Sequence, residues 1–584
     1  MEHAGARVTK SMTKGCVQGS TCGPILWNII LDELLDLPLP PGCHIQAFAD
    51  DVFLTITAKN VEEIEHHTNS ALDTIVKWGR SVKLEFGPSK TKVISFTPRC
   101  KRAIIKIDNH NLIFDKEIKY LGLIIDENLT FTSHVHFIIN KASRIFNKLC
   151  LYTRPTWGAH PENIRTIHNQ VITPIITYAA GIWGHIAHKL YIKNDLQRLQ
   201  RGFAIKAIKA FRTVSTTAAL ALAQFTPFDL KILEQHAIET TRLTGASPII
   251  PNNIPLERPT PPGKLLHPAL RINTEISKLS NQEEIVQICP PHACQIYTDG
   301  SKQENGAVGA AFVCWDPHTN RSTPKKYKLH HTCTVFQAEL FAIAEACNWA
   351  RNKKFISTYI FSDSLSSIQA IHNRSNTHPL VTKIHYIIHS HRDIGEIKIL
   401  WVKSHIGITG NETADSLANS AATLHRSPDY AYFPLSHIKQ QIRLRHRQSW
   451  ERRYQSAPQG SHTRSLLPTL DSVDNLWSAA KTSFQFTQYL TGHGFHKSYL
   501  YRFKIADNEA CPCDDTTAQT FDHLIKDCPR FQNYRLDHKL LCRCLKVSPY
   551  SLPELLSKKS ALDSFTKFIT YIVDHLKAFN NPNP

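Results

Sequence analysis

Long hydrophobic runs are absent from this sequence of 584 residues. The longest candidate, VITPIITYAAGIW at 171–183, is interrupted by Pro174 and falls short of the about 18 apolar residues that a membrane span needs. Residues 1–14 are polar and contain no apolar core of a secretory leader. The sequence therefore predicts neither a membrane-spanning helix nor a signal peptide.

Acidic residues are scarce relative to basic ones. The sequence contains 49 Asp and Glu against 68 Lys and Arg, a formal net charge of +19. This balance favours a polyanionic partner such as nucleic acid, although a merely soluble basic protein would show the same total. The 15 cysteines are odd in number and scattered, which predicts free thiols in a reducing, intracellular protein without separating nucleus from cytoplasm.

Apolar periodicity and prolines divide the chain. Residues 15–150 alternate between helical and strand-like patterns, and residues 134–243 are mainly helical. Within the first part we predict helices at 25–37 and 61–82 and strands within 46–56, 91–96 and 118–126. Seven prolines between 248 and 268 exclude a long helix and predict a stiff linker, after which a strand-rich segment ends in a helix near residue 422.

Four acidic residues lie on or beside apolar elements of this strand-rich segment. Asp299 interrupts a strand, Glu339 lies on a helix, Asp363 ends a strand, and Asp415 opens the last helix. Clustered carboxylates repel one another unless a cation lies among them, and hard oxygen ligands select Mg²⁺ or Mn²⁺. Two such ions, about 4 Å apart, can bind the attacking and leaving oxygens of a phosphodiester displacement.

The motifs around these acids resemble the type 1 ribonuclease H domain, over about residues 293–424. They are Thr298-Asp299-Gly300-Ser301, Ala338-Glu339-Leu340, Ser362-Asp363-Ser364, Ser404-His405, Gly410-Asn411-Glu412 and Ala414-Asp415. The resemblance implies that Asp299, Glu339 and Asp363 bind metal and position the attacking water. It also implies that Asp415 completes the second metal site. His405 would assist proton transfer or product release, unless it only anchors its loop.

The same resemblance implies an RNA–DNA hybrid as substrate, in which the RNA strand is identified by its 2′-hydroxyl groups. By position, Ser301, Gln337 and Ser364 are candidates for contacts with the nucleic acid. Each of the three also fits a simple role in a turn or at a helix end.

Four blocks near the start resemble, in order, the palm of a reverse transcriptase from non-LTR retrotransposons. They are GCVQGSTCGPILWNI, AFADD, LEFGPSKTKVISF and KYLGLIIDENLTFTSHV. The resemblance places Gln18 and Gly19 against nucleotide and template, and Asp50 and Asp51 in a metal-binding turn. The family's first metal-binding Asp lies upstream of this region, and residues 1–14 contain only Glu2 as an acid. We therefore expect a truncated palm that is inactive alone, with the missing N-terminal part of the element protein as a potential partner.

A cysteine and histidine motif lies near the C-terminus. Cys511, Cys513, His523 and Cys528 offer three thiolates and one imidazole, a set that suits tetrahedral Zn²⁺. With the preceding GHGFHKSYLYRF run, the motif resembles the C-terminal cysteine–histidine motif of the same elements. The alternative is a group of buried free thiols.

The segment 437–455 carries six Lys or Arg with Trp450 and Tyr454 between them. Arginine can bind phosphate and aromatic rings can stack on bases, so one interpretation is a nucleic-acid contact. The other is a solvated amphipathic helix.

Together these features predict a multidomain α/β protein. The ribonuclease H-like part is expected to be a five-stranded mixed sheet with flanking helices, preceded by an incomplete α+β palm and a helical segment. The predicted parts are a palm at 1–150, a thumb-like helical segment at 151–245, a linker at 246–292, a ribonuclease H domain at 293–424 and a basic helical region at 425–584. The predicted function is metal-dependent cleavage of the RNA strand of RNA–DNA hybrids. The alternatives are an inactive relic that binds RNA or DNA, and a reverse transcriptase if upstream sequence is supplied.

Overall fold

A computed structural model describes residues 19–154, 157–247, 255–271, 278–279, 282–317, 319 and 321–580, and the backbone of 2–3 and 6–7. The chain divides into two compact units. The first comprises residues 1–151 and 189–199, and the second comprises residues 152–188 and 200–584. Across the described ranges, no helix is long and apolar enough to cross a membrane.

In its described residues, the first unit combines small antiparallel hairpins with helices. Its elements are β1 (Glu2–His3), β2 (Ala6–Arg7), α1 (Gly23–Leu35), β3 (Cys43–Phe48), β4 (Asp51–Ile56), α2 (Val61–Ser81), β5 (Lys106–Ile107), β6 (His110–Asn111), β7 (Glu117–Tyr120), β8 (Leu123–Asp126) and α3 (Thr132–Leu151). The side chain of Asn60 caps α2, and the apolar stripe of that helix buries Ile75 and Trp78 against α1 and the β3–β4 hairpin.

Two strand predictions in this unit are corrected. The strand predicted at 91–96 is wrong, because only Val93 forms an isolated bridge, to Phe114. The strand predicted within 118–126 is instead a hairpin of β7 and β8, whose turn has Leu121 and Gly122 at positive φ. A short apolar run does not by itself show where a strand reverses.

The second unit is built around a mixed sheet. Its strands are β9 (Lys278–Leu279), β10 (Cys294–Lys302), β11 (Val308–Asp316), β12 (Arg321–Leu329), β13 (Ser357–Ser362) and β14 (Glu396–Val402), in the spatial order β12-β11-β10-β13-β14-β9. The first three long strands are antiparallel, whereas β13 and β14 run parallel to β10. The predicted five-stranded mixed sheet is confirmed, and the two-residue β9 is added at its edge.

Helices cover both faces of this sheet. They are α10 (Gln282–Ile288), α11 (Val335–Lys353), α12 (Leu365–His372), α13 (Pro379–His391) and α14 (Thr409–Ala422). One core lies between the sheet and α11 to α13, around residues such as Phe312 and Ile384. A second core, around Phe361 and Ile408, lies on the α14 side.

The rest of the second unit is helical. Before the sheet come α4 (Pro161–Ile167), α5 (Thr173–Thr177), α6 (Ala180–Trp183), α7 (Leu190–Ala207, within which the two units divide), α8 (Thr216–Leu222) and α9 (Phe228–Thr244). After the sheet come α15 (Leu435–Ser456), α16 (Ser461–Leu466), α17 (Leu470–Ala479), α18 (Phe484–Thr491), α19 (Lys497–Arg502), α20 (Phe521–Lys526), α21 (Gln532–Leu545), α22 (Leu552–Leu556) and α23 (Lys559–Asn580).

These two helical segments pack against each other, although the sheet separates them in sequence. Arg453 of α15 donates two hydrogen bonds, of 2.9 and 2.6 Å, to the buried carboxylate of Asp229 on α9. The indole of Trp477 donates to the carbonyl of Leu222 at 2.6 Å. The chain therefore inserts the sheet between two halves of one helical body.

This packing corrects one part of the nucleic-acid interpretation of segment 437–455. Trp450 and Tyr454 are buried, and the Tyr454 hydroxyl donates to the carbonyl of Leu467. Arg447 is paired with Asp471 and Asp474. These aromatic rings are core residues and are not exposed for stacking on bases, whereas Arg443, Arg445 and Arg452 of the same helix are exposed.

Candidate active site

Asp299 occupies the central strand of the sheet. It lies opposite Ala311 of β11, and the preceding Thr298 lies opposite Ser362 of β13. Its side chain is 7% exposed. A lone carboxylate in such a place would be costly to ionise, so its neighbours determine its chemistry.

Gly300 allows Glu339 to lie next to Asp299. A Cβ atom at position 300 would lie 2.3 Å from the backbone nitrogen of Glu339, so only glycine permits this approach of β10 to α11. The start of α11 is held by a capping box, in which Thr334 Oγ1 accepts from the Gln337 N–H and Gln337 Oε1 accepts from the Thr334 N–H. Gln337, which sequence position made a candidate for nucleic-acid contact, is a buried capping residue.

Asp363 directly follows β13 and is held by two donors. Trp401 Nε1 donates to its backbone carbonyl at 2.9 Å, and Asn411 Nδ2 donates to its Oδ2 at 3.0 Å. Asn411 is itself buried. Sequence reasoning assigned it no role, although it lies inside the motif Gly410-Asn411-Glu412 that carried the resemblance.

Asp299, Glu339 and Asp363 form one group, called here the carboxylate cluster. One oxygen from each lies within 4.8 Å of the others. Burial first, and then the charges of Asp363 and Asp415, raise the pKa of Asp299 to about 7. Burial and the charges of Asp299 and Asp363 raise the pKa of Glu339 well above its usual range.

The carboxylate cluster fits a divalent cation. Glu339 Oε2 is buried and makes no hydrogen bond to the part of the chain that the structure describes. An unsatisfied buried oxygen between like charges is costly, and a hard cation with oxygen ligands would remove both penalties.

Asp415 lies beside the cluster on α14, and its oxygens are not among the three that converge. Its Oδ1 accepts from Asn419 Nδ2 at 2.9 Å, and Asn419 Oδ1 in turn accepts from Ser301 Oγ at 2.5 Å. The first turn of α14 packs tightly on β10, because a Cβ atom at Gly410 would lie 2.4 Å from the ring of Tyr297. Asp415 is near enough to raise the pKa of Asp299.

The remaining predicted residues of this part lie in loops and caps. His405 is exposed, at positive φ, in the loop between β14 and α14. Ser364 precedes α12 and its hydroxyl donates to Ser367 Oγ at 2.8 Å. Within the part of the chain that the structure describes, neither side chain forms a hydrogen bond to the carboxylate cluster.

The palm-like residues lie in a different setting. Asp50 and Asp51 are exposed at the turn of the β3–β4 hairpin, where Ala49 has a φ of 54° and its carbonyl accepts from the Trp27 indole at 2.9 Å. Within the described ranges, these two acids belong to no group of converging ligands. Gly19 is exposed at a φ of 87°, and Gln18 lies outside the described residues.

The four residues of the C-terminal motif come together and are called here the Cys/His cluster. Their ligand atoms, from Cys511, Cys513, His523 and Cys528, all lie within 4.8 Å of one another. The sulfurs of Cys511 and Cys528 are 3.9 Å apart, close to the about 3.8 Å that tetrahedral zinc with 2.3 Å bonds imposes on two sulfurs. Burial and the neighbouring thiols raise the pKa of Cys513 to about 12. A bound cation would lower this pKa again, because it stabilises the thiolate.

Comparison with protein families agrees with this geometry. Residues 291–423 match the family model described as RNase H. They are a ribonuclease H domain. Residues 3–125 match the model described as reverse transcriptase (RNA-dependent DNA polymerase). Sequence that matches the reverse transcriptase model therefore precedes the ribonuclease H domain in this chain.

Curated relatives come from type-1 retrotransposable elements. A putative 115 kDa protein in element R1DM of Drosophila melanogaster is 29% identical, over 38% of this chain and 21% of that protein. An R1 Pol polyprotein of Bradysia coprophila is 26% identical over 41% and 24% of the two chains. One of Nasonia vitripennis is 27% identical over 39% and 57%. The chain therefore spans between about a fifth and three fifths of the relatives' lengths.

Two solved ribonuclease H structures align with the ribonuclease H domain. The N-terminal RNase H domain of a Mycobacterium tuberculosis protein is 22% identical with a TM-score of 0.19, and covers 22% of this chain and 98% of that chain. RNase H1 of Halobacterium salinarum is 21% identical with a TM-score of 0.18, and covers 22% and 96%.

Proposed function

We propose that this chain hydrolyses the RNA strand of RNA–DNA hybrids with Mg²⁺ or Mn²⁺ held by the carboxylate cluster. One observation carries the proposal: three carboxylates from β10, α11 and the end of β13 converge within 4.8 Å, two of them buried. Such an arrangement is unfavourable unless cations or protons are shared among the three groups.

The proposed roles follow from the positions of the side chains. Asp299 and Glu339 hold the cation from the floor of the site, and Asp363 is oriented toward it by Asn411. Asp415, anchored by Asn419, supplies a further carboxylate at the rim. When bound, the divalent cations supply Lewis-acid activation of water and charge stabilisation at the scissile phosphate. His405, on its exposed loop, is proposed to transfer a proton or aid product release.

The test uses the full chain, a labelled RNA–DNA hybrid and Mg²⁺, beside Asp363→Asn. Double-stranded DNA and single-stranded RNA are the substrate controls. Asp393→Asn, an exposed acid of the same domain, is the matched protein control. We expect hybrid-specific cleavage in the parent and in Asp393→Asn, and loss in Asp363→Asn. Hybrid binding without cleavage by a folded parent chain would instead identify a binding relic.

For the palm-like segment we propose no polymerase activity by this chain alone. The exposed Asp50 and Asp51 offer two ligands on one hairpin, whereas phosphoryl transfer needs carboxylates from more than one element around its metals. A segment corresponding to the upstream part of the longer relatives is the partner that would supply them. Primer extension by this chain without such a segment would contradict the proposal.

We also propose that the Cys/His cluster binds one zinc ion. The set of three sulfurs and one imidazole, and the 3.9 Å between Cys511 and Cys528, support it. Elemental analysis of the purified chain should give one zinc per molecule, which falls toward zero in Cys511→Ser. Cys544→Ser, an exposed free thiol, is the matched control and should keep its zinc. Thiolate ligands also favour the predicted reducing, intracellular location.

The domain division stated from the sequence remains our proposal for the architecture. The family match over 291–423 supports a ribonuclease H domain at about 293–424. The contacts between α9 and α15 support treating the segments 151–245 and 425–584 as two halves of one helical body.

A further inference from the structure

A row of aromatic side chains lies on the surface of the C-terminal helices, and nothing above uses it. It consists of Tyr534 on α21 and of Tyr571, His575 and Phe579 on α23, and is called here the aromatic row. Tyr534, Tyr571 and Phe579 are 46%, 37% and 67% exposed. Large exposed rings in one row are uncommon on a protein surface and indicate a binding partner.

The rings form two close pairs. Tyr534 and Tyr571 have centroids 3.8 Å apart at 23°, and His575 and Phe579 have centroids 4.4 Å apart at 35°. Between the pairs, the centroids of Tyr571 and His575 are 6.3 Å apart, so the rings are not closed into one stack. The three residues of α23 are four positions apart, so they follow one side of the helix over about 12 Å. At about 3.4 Å per stacked nucleotide, this length accommodates three or four bases.

The row is held rigidly from below. Phe531 is buried and meets Tyr571 and His575 edge-on, with interplanar angles of 84° and 85°. Burial, and then the charge of Arg530, lowers the pKa of His575, which favours the neutral form of its ring. Fixed neutral rings lose little conformational entropy when a flat ligand stacks on them.

Basic residues outnumber acidic ones near the row, although the exposed Asp574 also lies on α23. The Arg530 guanidinium lies 5.9 Å from the Phe579 ring centroid, and the exposed Lys567 is one helical turn before Tyr571. Neither cation forms a salt bridge with any acid in the described part of the chain. Residues 526–580 contain ten basic and five acidic residues, a net of +5. Rings and unpaired cations together favour a ligand that has both flat faces and negative charge.

We propose that the aromatic row is a binding site for single-stranded nucleic acid, whose bases stack on the rings and whose phosphates meet Arg530 and Lys567. Base–aromatic stacking is tolerant of sequence, so the site would take RNA or DNA of mixed composition. This inference does not depend on the carboxylate cluster, and it replaces Trp450 and Tyr454, which are buried, as the aromatic contacts.

The test measures fluorescence anisotropy of labelled oligo(U) and oligo(dT), of about 20 nucleotides, with the full chain. Tyr571→Ala with Phe579→Ala should weaken binding roughly tenfold or more. Tyr571→Phe with Phe579→Tyr keeps both rings and should bind like the parent. Leu540→Ala, an exposed residue of α21 that contributes no ring, is the matched control. Comparing the two oligonucleotides distinguishes RNA from DNA.

A second arm addresses charge. Arg530→Gln should reduce the slope of log affinity against log salt by about one. A far-ultraviolet circular dichroism spectrum and a thermal unfolding midpoint like those of the parent show that each variant is folded, so the result does not depend on the proposed hydrolase. Unchanged affinity in the double alanine variant, or equal loss in the ring-retaining one, would overturn the proposal. A change in oligomeric state without a change in affinity would also overturn the proposal, because it would identify the row as an interface between copies of the chain.

Discussion

Two regions of this chain place acidic residues on or next to β-strands, and the two differ in the surroundings of those residues. In the ribonuclease H domain, Asp299 lies within β10, Asp363 directly follows the neighbouring strand β13, and α11 adds Glu339. In the palm-like unit, Asp50 and Asp51 lie on the turn of a two-stranded hairpin, exposed to solvent. The same residue type is a costly buried charge in one place and an ordinary solvated one in the other.

The comparison shows which surroundings favour the binding of a cation by a carboxylate. Neighbouring strands must place a second carboxylate within reach, and a covering helix must exclude water, so that like charges raise each other's pKa. Asp299 meets these conditions, because its pKa rises to about 7. The β3–β4 hairpin supplies neither condition, since its turn is open to solvent.

The largest expected difference is in catalysis. Asp299→Asn should reduce hybrid cleavage by on the order of 10³-fold, because it removes a ligand at the centre of the carboxylate cluster. Asp51→Asn should leave the cleavage rate unchanged. Single-turnover cleavage of a labelled hybrid measures both variants, and a comparable loss in Asp51→Asn would break the contrast between the two regions.

The next largest effect, on stability and activity, is expected where β10 approaches α11 most closely. Gly300→Ala places a Cβ atom 2.3 Å from the Glu339 nitrogen, and should cost about 3 kcal/mol of unfolding free energy and most of the cleavage activity. Gly263→Ala, where no atom lies within 4 Å, is the matched control and should change little. Urea unfolding curves give both values. A Gly300→Ala protein as stable and active as the parent would refute the close approach.

A smaller effect is expected at Asn411, which orients Asp363. Asn411→Ala should raise the Mg²⁺ concentration needed for half-maximal cleavage by roughly tenfold, because it removes a hydrogen bond to a proposed ligand. At saturating Mg²⁺ the rate should largely recover. Asn376→Ala, whose amide donates to the Ala370 carbonyl outside the cluster, serves as the control. A lower rate without any shift in Mg²⁺ dependence would assign Asn411 a purely structural role.

The smallest effect is on the pH dependence of stability without divalent cations. The pKa of Asp299 is raised to about 7 in the folded chain, so the stabilising proton is bound at low pH and lost as pH rises through about 7. Between pH 6 and 8 the ribonuclease H domain should lose about 1 kcal/mol of unfolding free energy. Hydrogen–deuterium exchange of β10 in Mg²⁺-free buffer reports it. Asp299→Asn should flatten the profile, and an equally steep profile in that variant would contradict the assignment.

The local pattern of apolar and polar residues was sufficient to predict much of the fold and of the candidate site. The elements that carry Asp299, Glu339 and Asp363 follow from apolar runs in the sequence, whereas the polar strand β12 was expected only from the family resemblance. The strand predicted at 91–96 fails because pairing partners, rather than composition, decide whether a strand forms. Trp450 and Tyr454 were open to two interpretations because their burial depends on tertiary packing. Their helix α15 packs on α9, which is remote in sequence, and the Tyr454 hydroxyl donates to Leu467 beyond the end of α15.

The sequence by itself determined the chemical groups of this protein and the elements on which they lie, because periodicity and side-chain type are local properties. Only the tertiary structure decided which groups meet. It brings three carboxylates together, leaves Asp50 and Asp51 in solvent, closes the Cys/His cluster and lines up rings from α21 and α23. Burial and Coulomb interactions act through space, so the pKa of Asp299 and the exposure of the aromatic row exist only once distant segments have packed.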